Sequence, residues 1–115
     1  MKCSRASTFA AILVMTGCSR TPVVTVSNHS SVALSNVVVS GSGFSERIGS
    51  IAPGAERTLT VHPRGESGLR VAFDAGGQHV DRGEQGYFES GGGYRVSAII
   101  STDLSVSVSE DLRSY

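Results

Sequence analysis

From Val23 onward the chain is divided into short runs rich in β-branched residues, each closed by a glycine or small polar cluster. That rhythm constrains the fold more than any other feature. Within the runs, apolar and polar residues alternate with a period of two, the spacing of a half-buried strand. Val24 and Val26 share one face of a strand over Val23–Ser27, and Val37, Val38 and Val39 centre a second over Leu34–Ser40. Phe44–Ile48 alternates Phe44, Glu46 and Ile48 against Ser45 and Arg47. Arg57 to His62 places Leu59 and Val61 inward and Thr58, Thr60 and His62 outward. Leu69, Val71 and Phe73 form the next inward set, opposed by Arg70, Ala72 and Asp74. Gln78–Asp81 reads as a short return strand and 82–86 as loop. Tyr94, Val96, Ala98 and Ile100 mark a strong strand, and Leu104, Val106 and Val108 alternate with Ser105, Ser107 and Ser109 in the last.

The punctuation agrees with the runs. Pro53-Gly54 predicts a type II turn with Gly54 at the positive-φ position, and Gly76-Gly77 predicts a hairpin turn. Asn28-His29-Ser30-Ser31, 63–68 and Gly91-Gly92-Gly93 read as polar or flexible turns. No helical periodicity occurs after residue 20. Seven or eight short strands spaced about ten residues apart predict an all-β fold, a small antiparallel β-sandwich over 23–109 with a tail at 110–115.

Two local patterns sharpen this expectation. Ile51-Ala52-Pro53-Gly54 leads into an alternating strand, and Phe88 is followed by a Gly-rich turn and Tyr94-Arg95-Val96. Together they resemble immunoglobulin-like and fibronectin-type modules in architecture. The second is similar to a tyrosine corner, which implies that Tyr94 packs its ring inward and bonds its hydroxyl to nearby backbone. The domain has no Trp and no Cys pair, so the resemblance stops at architecture, and fold alone does not give function.

The first 20 residues are of a different kind. Lys2 and Arg5 precede an uncharged, mostly apolar run from Ala6 to Thr16. Eleven residues make about 16 Å of helix, against a bilayer core of ~30 Å. A basic start, a short apolar middle and a small residue before the break are the layout of a secretory signal peptide. Met15-Thr16-Gly17-Cys18 resembles the lipobox of bacterial lipoproteins, with Met15 where Leu is usual. That resemblance implies a signal-peptide helix over 1–17, cleavage between Gly17 and Cys18, and diacylglycerol and a further acyl group such as palmitate on Cys18. Residues 18–22 become a lipidated N-terminus and short tether. Ser19, in place of an Asp, implies sorting to the outer membrane, with the domain in the periplasm.

Charge and cysteine usage narrow the rest. After residue 17 the chain holds eight Arg, no Lys and ten Asp or Glu. A near-neutral surface without a basic stripe argues against nucleic acid as a partner. Cys3 and Cys18 both lie outside the domain, and no metal-type Cys spacing exists.

No cofactor is expected, and no catalytic constellation stands out. The densest ionisable stretch runs from Asp74 to Glu89 and offers His79 and Asp81, two apart on a strand, as weak metal-ligand candidates. Gly65-Glu66-Ser67-Gly68 lacks the spacing of a nucleophile elbow. The outward stripe Ser105, Ser107, Ser109 is open to pairing with a partner if its strand is an edge; the simpler reading is the solvated face of an inner strand. The expectation is thus a non-enzymatic, lipid-anchored binding or structural module meeting another envelope protein through an edge strand or loop end. The rival is a small-ligand or metal carrier using the 74–89 hairpin.

Overall fold

A computed structural model describes residues 21–112. The expected signal-peptide helix, the Gly17–Cys18 cleavage site and the lipidation site at Cys18 lie outside the described residues.

Eight strands follow in order: β1 (Val23–Asn28), β2 (Leu34–Gly41), β3 (Phe44–Ile51), β4 (Glu56–Thr60), β5 (Glu66–Ala75), β6 (Gln78–Glu89), β7 (Tyr94–Ile100) and β8 (Val106–Leu112). They form two four-stranded sheets, β4-β1-β7-β8 and β3-β2-β5-β6, packed as a β-sandwich. All pairings are antiparallel except β1 with β7, which run parallel with Val23 opposite Arg95. Both strands start from the end of the sandwich where the chain enters, called here the entry end. The turns after β1, β3, β5 and β7 lie at the far end.

The core is the sum of the alternations. Val24, Val26, Val96, Ala98 and Ile100 from one sheet face Val37, Val39, Leu69, Val71 and Phe73 from the other, all buried. Truncating a fully buried ring such as Phe73 to Ala costs about 3–5 kcal/mol through lost transfer energy and the cavity left behind.

One polar side chain interrupts this apolar interior. Asn28, at the end of β1, has no exposed surface. Its Nδ2 donates to the Val32 carbonyl at 2.8 Å and the Ile51 carbonyl at 3.0 Å. Its Oδ1 accepts from the Ser30 amide at 2.9 Å and the Ser30 hydroxyl at 2.6 Å. The Asn28 backbone donates to Ala55 and accepts from Gly54, and the next amide, His29, donates to Ile100. Asn28, with the His29 amide beside it, thereby ties β1, the β1–β2 turn, the β3–β4 turn and β7 together across both sheets. The Asn28-His29-Ser30 sequon is closed by the same network, because both Nδ2 protons are committed inside the fold.

Several local expectations change. β6 is not a four-residue return strand followed by loop; it continues unbroken to Glu89. Its glycines do not end it, because register shifts between Ser67 and Leu69 and between Arg70 and Ala72 place bulges in the β5–β6 pairing. Gly83 and Gly86 take the positive φ angles, 81° and 80°, that the bulged chain uses. β5 starts at Glu66 rather than after Gly68, with Ser67 buried and its hydroxyl donating to Gly68 O while accepting from Ser42 N. The last strand begins at Val106, since Leu104 sits at φ 65° in the preceding turn, and it runs to Leu112, past the expected boundary at Ser109. The Pro53-Gly54 turn forms as read: Ala55 N donates to Ala52 O at 3.0 Å, and Gly54 has φ 80°.

Replacing Asn28 by Ala removes the side-chain donor to the buried Ile51 carbonyl and the acceptor of the Ser30 amide, while the Ser30 hydroxyl and the Val32 carbonyl keep each other at 3.0 Å. At about 1–3 kcal/mol per orphaned group, partly relieved by water, Asn28→Ala is expected to lower unfolding free energy by about 3 kcal/mol. Ser107→Ala on the solvent face should stay within about 0.5 kcal/mol. Urea titration of the two variants checks the contrast.

Candidate functional site

The ionisable side chains singled out by sequence lie on the outer face and far end of the second sheet, and they are already engaged with one another. β5 and β6 bring Asp74 opposite His79 and place Asp81 opposite Ala72, beside Arg70. His79 Nδ1 lies 2.7 Å from Asp74 Oδ1, and Asn36 donates to Asp74 Oδ2 at 2.9 Å. Asp81 receives Arg70 Nε and Nη2 at 2.9–3.1 Å, and the Gly83 amide at 3.0 Å. His79 and Asp81 therefore turn to different partners instead of to a shared ion. Among the described residues, no group of three His, Cys, Asp or Glu side chains converges as a metal site. Ser35 hydroxyl meets the Asp74 carbonyl at 3.5 Å, so this hydroxyl contacts backbone and not the imidazole.

The hydrogen bonds shape the titration of these acids. Asn36 first, then His79, hold the Asp74 carboxyl below its ordinary value. Arg70, then the Gly83 amide, do the same for Asp81. Asp103, bonded by the Ser105 hydroxyl at 2.7 Å and the Ser105 amide at 3.1 Å, is likewise lowered, and it shapes the turn into β8.

A groove of about 240 Å³ lies between the edge strands β3 and β4, lined by Glu46, Arg47, Ile48, Arg57, Thr58 and Leu59. Arg57 crosses it, donating to Ser50 O at 3.0 Å and Ile48 O at 3.3 Å. The guanidinium thus covers backbone acceptors on the β3 edge. On the opposite seam, Glu110 of β8 accepts from the Tyr87 amide of β6 at 3.1 Å, and Arg82 reaches the Leu104 carbonyl at 3.4 Å. Every buried polar side chain among the described residues is a neutral Ser or Asn, so no ionisable group is held in a desolvated pocket.

The serine stripe is placed differently from its simpler reading. β8 is an edge strand of the first sheet, not an inner one. Ser107 and Ser109 are exposed on its outer face, whereas Ser105 precedes the strand. The registers extend the stripe into a hydroxyl row, Thr58–Thr25–Ser97–Ser109, across all four strands. Thr25 and Thr58 hydroxyls meet at 3.1 Å. The four edges are unequal. β4 is five residues long, β6 is bulged, and β3 pairs irregularly with β2. β8 pairs with β7 over seven consecutive positions without a register shift. No local signal in the sequence marks β8 as terminal in its sheet, because strand order depends on distant pairings.

Tyr94 opens β7, half-buried and packed partly against the core. Its ring meets Tyr87 edge to face with centroids 6.5 Å apart. Burial, then Glu66 and Glu89, raise the Tyr87 phenol above its ordinary value.

No protein-family model and no curated protein matches the sequence. A solved NMR structure of a protein from Eubacterium rectale is similar in fold, with a TM-score of 0.54 and 15% sequence identity. The match covers 82% of this chain and 91% of that one. At this identity the likeness speaks for the fold alone.

Asp74, Asp81 and Asp103 all titrate lower when folded, so the stability they add is present above the ordinary value of 3.8 and is lost as pH falls below it. Asp81→Asn is expected to flatten that acid limb by lowering stability modestly at pH 7 while leaving it little changed at pH 2. Thermal melts between pH 2 and 7 check both.

Proposed function

We propose that this chain is a lipid-anchored cell-envelope protein whose β-sandwich acts, without catalysis, as an interaction module for another envelope protein. It is fastened through Cys18, on the outer membrane by the implication of Ser19, with the domain in the periplasm. The observation that carries the reading is the β8 edge. Among the described residues this seven-residue strand in regular register pairs on one side only, and it bears neither Pro nor Lys. Such an edge suits strand addition, in which main-chain hydrogen bonds supply affinity and alternate side chains supply selectivity.

The other three edges are less suited. Bulges, shortness or an arginine laid over backbone carbonyls each hinder a new strand. The carrier reading of the 74–89 region has less support, since Arg70 and Gly83 occupy the Asp81 oxygens and Asn36 and His79 occupy those of Asp74. Exposed Ser107 and Ser109 leave the outer face of β8 small and uncharged until Asp111, so an approaching strand meets no bulky side chain at those positions.

Two variants test separate parts. Cys18→Ala should leave an uncut precursor or release the protein from membranes, read by fractionation and by labelled palmitate; equal labelling of wild type and variant contradicts the anchor. A photo-crosslinking residue at Ser107 should give a discrete adduct in intact cells that Ser109→Pro removes. The same probe at Asn36 should give none. Adducts at both positions, or at neither, contradict the edge reading.

A further inference from the structure

Three large apolar side chains are exposed among the described residues, and two of them, Tyr87 at 46% and Leu112 at 59%, share the entry end. Leu112 lies opposite Tyr94 in the β7–β8 register, and Tyr94 meets Tyr87 edge to face. The three side chains make one patch. The Gly91-Gly92-Gly93 turn beside it adds no side chain that would hold the rings away from a flat surface.

The patch is also where the chain enters the domain. Val23, the first residue of β1, pairs with Arg95, next to Tyr94. Thr21 follows Cys18 by three positions, a span of about 10 Å when fully extended. A lipid on Cys18 would hold this end, and no other, within reach of the bilayer surface.

We propose that Tyr87, Tyr94 and Leu112 rest on the phospholipid surface as a second, non-covalent contact, an inference that depends on the lipoprotein reading above. Tyrosine suits the boundary between headgroups and acyl chains, since its ring is apolar and its hydroxyl stays hydrated. Leu112 adds apolar area with no polar group to desolvate. The charges around the patch select the type of surface. Glu66 faces Glu89 across β5 and β6, Glu110 bonds the Tyr87 amide, and Asp111 pairs with Arg95 at 3.6 Å. Among the described residues Arg64 and His62 are the other basic groups near this end, and Arg20 and Arg113 adjoin it in sequence, so acids and arginines balance at four each. A balanced rim has no net pull toward anionic headgroups, and the occupant is accordingly a zwitterionic lipid surface. One consequence is orientation: the patch sets the long edges of the sandwich, β8 included, at a fixed angle to the membrane.

The test uses the full lipidated chain, purified from membranes and reconstituted into phosphatidylcholine vesicles with or without brominated acyl chains. The chain has three Tyr and no Trp, so Tyr115→Phe leaves Tyr87 and Tyr94 as the only emitters. Brominated lipid is expected to cut their emission about twofold or more, as rings at the acyl boundary require. Leu112→Asp should reverse most of that loss, with unchanged circular dichroism, and anionic lipid should not deepen it. A protein that floats with the vesicles yet emits equally in both lipids overturns the patch contact and leaves the anchor standing. A protein that does not float overturns the anchor and this contact with it. Concentration-dependent dimers in detergent that Leu112→Asp abolishes would assign the patch to a second copy and overturn it too.

Discussion

The carboxamide of Asn28 is the interaction on which the sandwich depends. A two-sheet core is held mainly by non-directional apolar contact, which fills space but does not set how the sheet ends meet. Asn28 supplies that direction. From β1 in one sheet it donates to Ile51 in the other, and it closes the β1–β2 turn through Val32 and Ser30. Because Asn28 is fully buried, these bonds are worth more than their surface equivalents and are costly to leave unmade. With the far end fastened, the alternation of Val, Ile and Leu is enough to seat the remaining strands.

Fixing the far end leaves the function to the seams and the entry end. The two open sides of the sandwich are treated asymmetrically. Arg57 spans one, taking up β3 carbonyls, so the edge there is occupied by the protein's own cation. Glu110 and Arg82 span the other at single points and leave the length of β8 regular. The hydroxyl row running from Thr58 to Ser109 keeps the adjoining face flat and neutral. Regular backbone and small side chains together make the surface that the proposed anchor would present at the membrane.

Much of the fold was legible in the chain because a half-buried strand writes its burial directly as alternation. Leu69, Val71 and Phe73, or Val96, Ala98 and Ile100, could hardly face any way but inward. What escaped reading was whatever depends on distant partners. The segment 82–86, with Gly83 and Gly86, read as loop, yet paired against β5 it became a bulged part of one long strand. Asn28 read as part of a polar turn, and only the carbonyl of Ile51, 23 residues away, explains its burial. The edge position of β8 and the parallel pairing of β1 with β7 are likewise products of topology. His79 and Asp81 were correctly placed on one strand, but Asp74 and Arg70 of the neighbouring strand decided their partners.

The central claim is that β8 is a true edge, unpaired on the side away from β7, in a sandwich fastened by Asn28. Amide hydrogen exchange followed residue by residue tests both halves at once. The account predicts alternating protection along Val106–Leu112, with amides bonded to β7 slow and those between them fast, and slow exchange of the Asn28 side-chain amide. Uniform protection along β8, or rapid exchange at the Asn28 carboxamide, would contradict it.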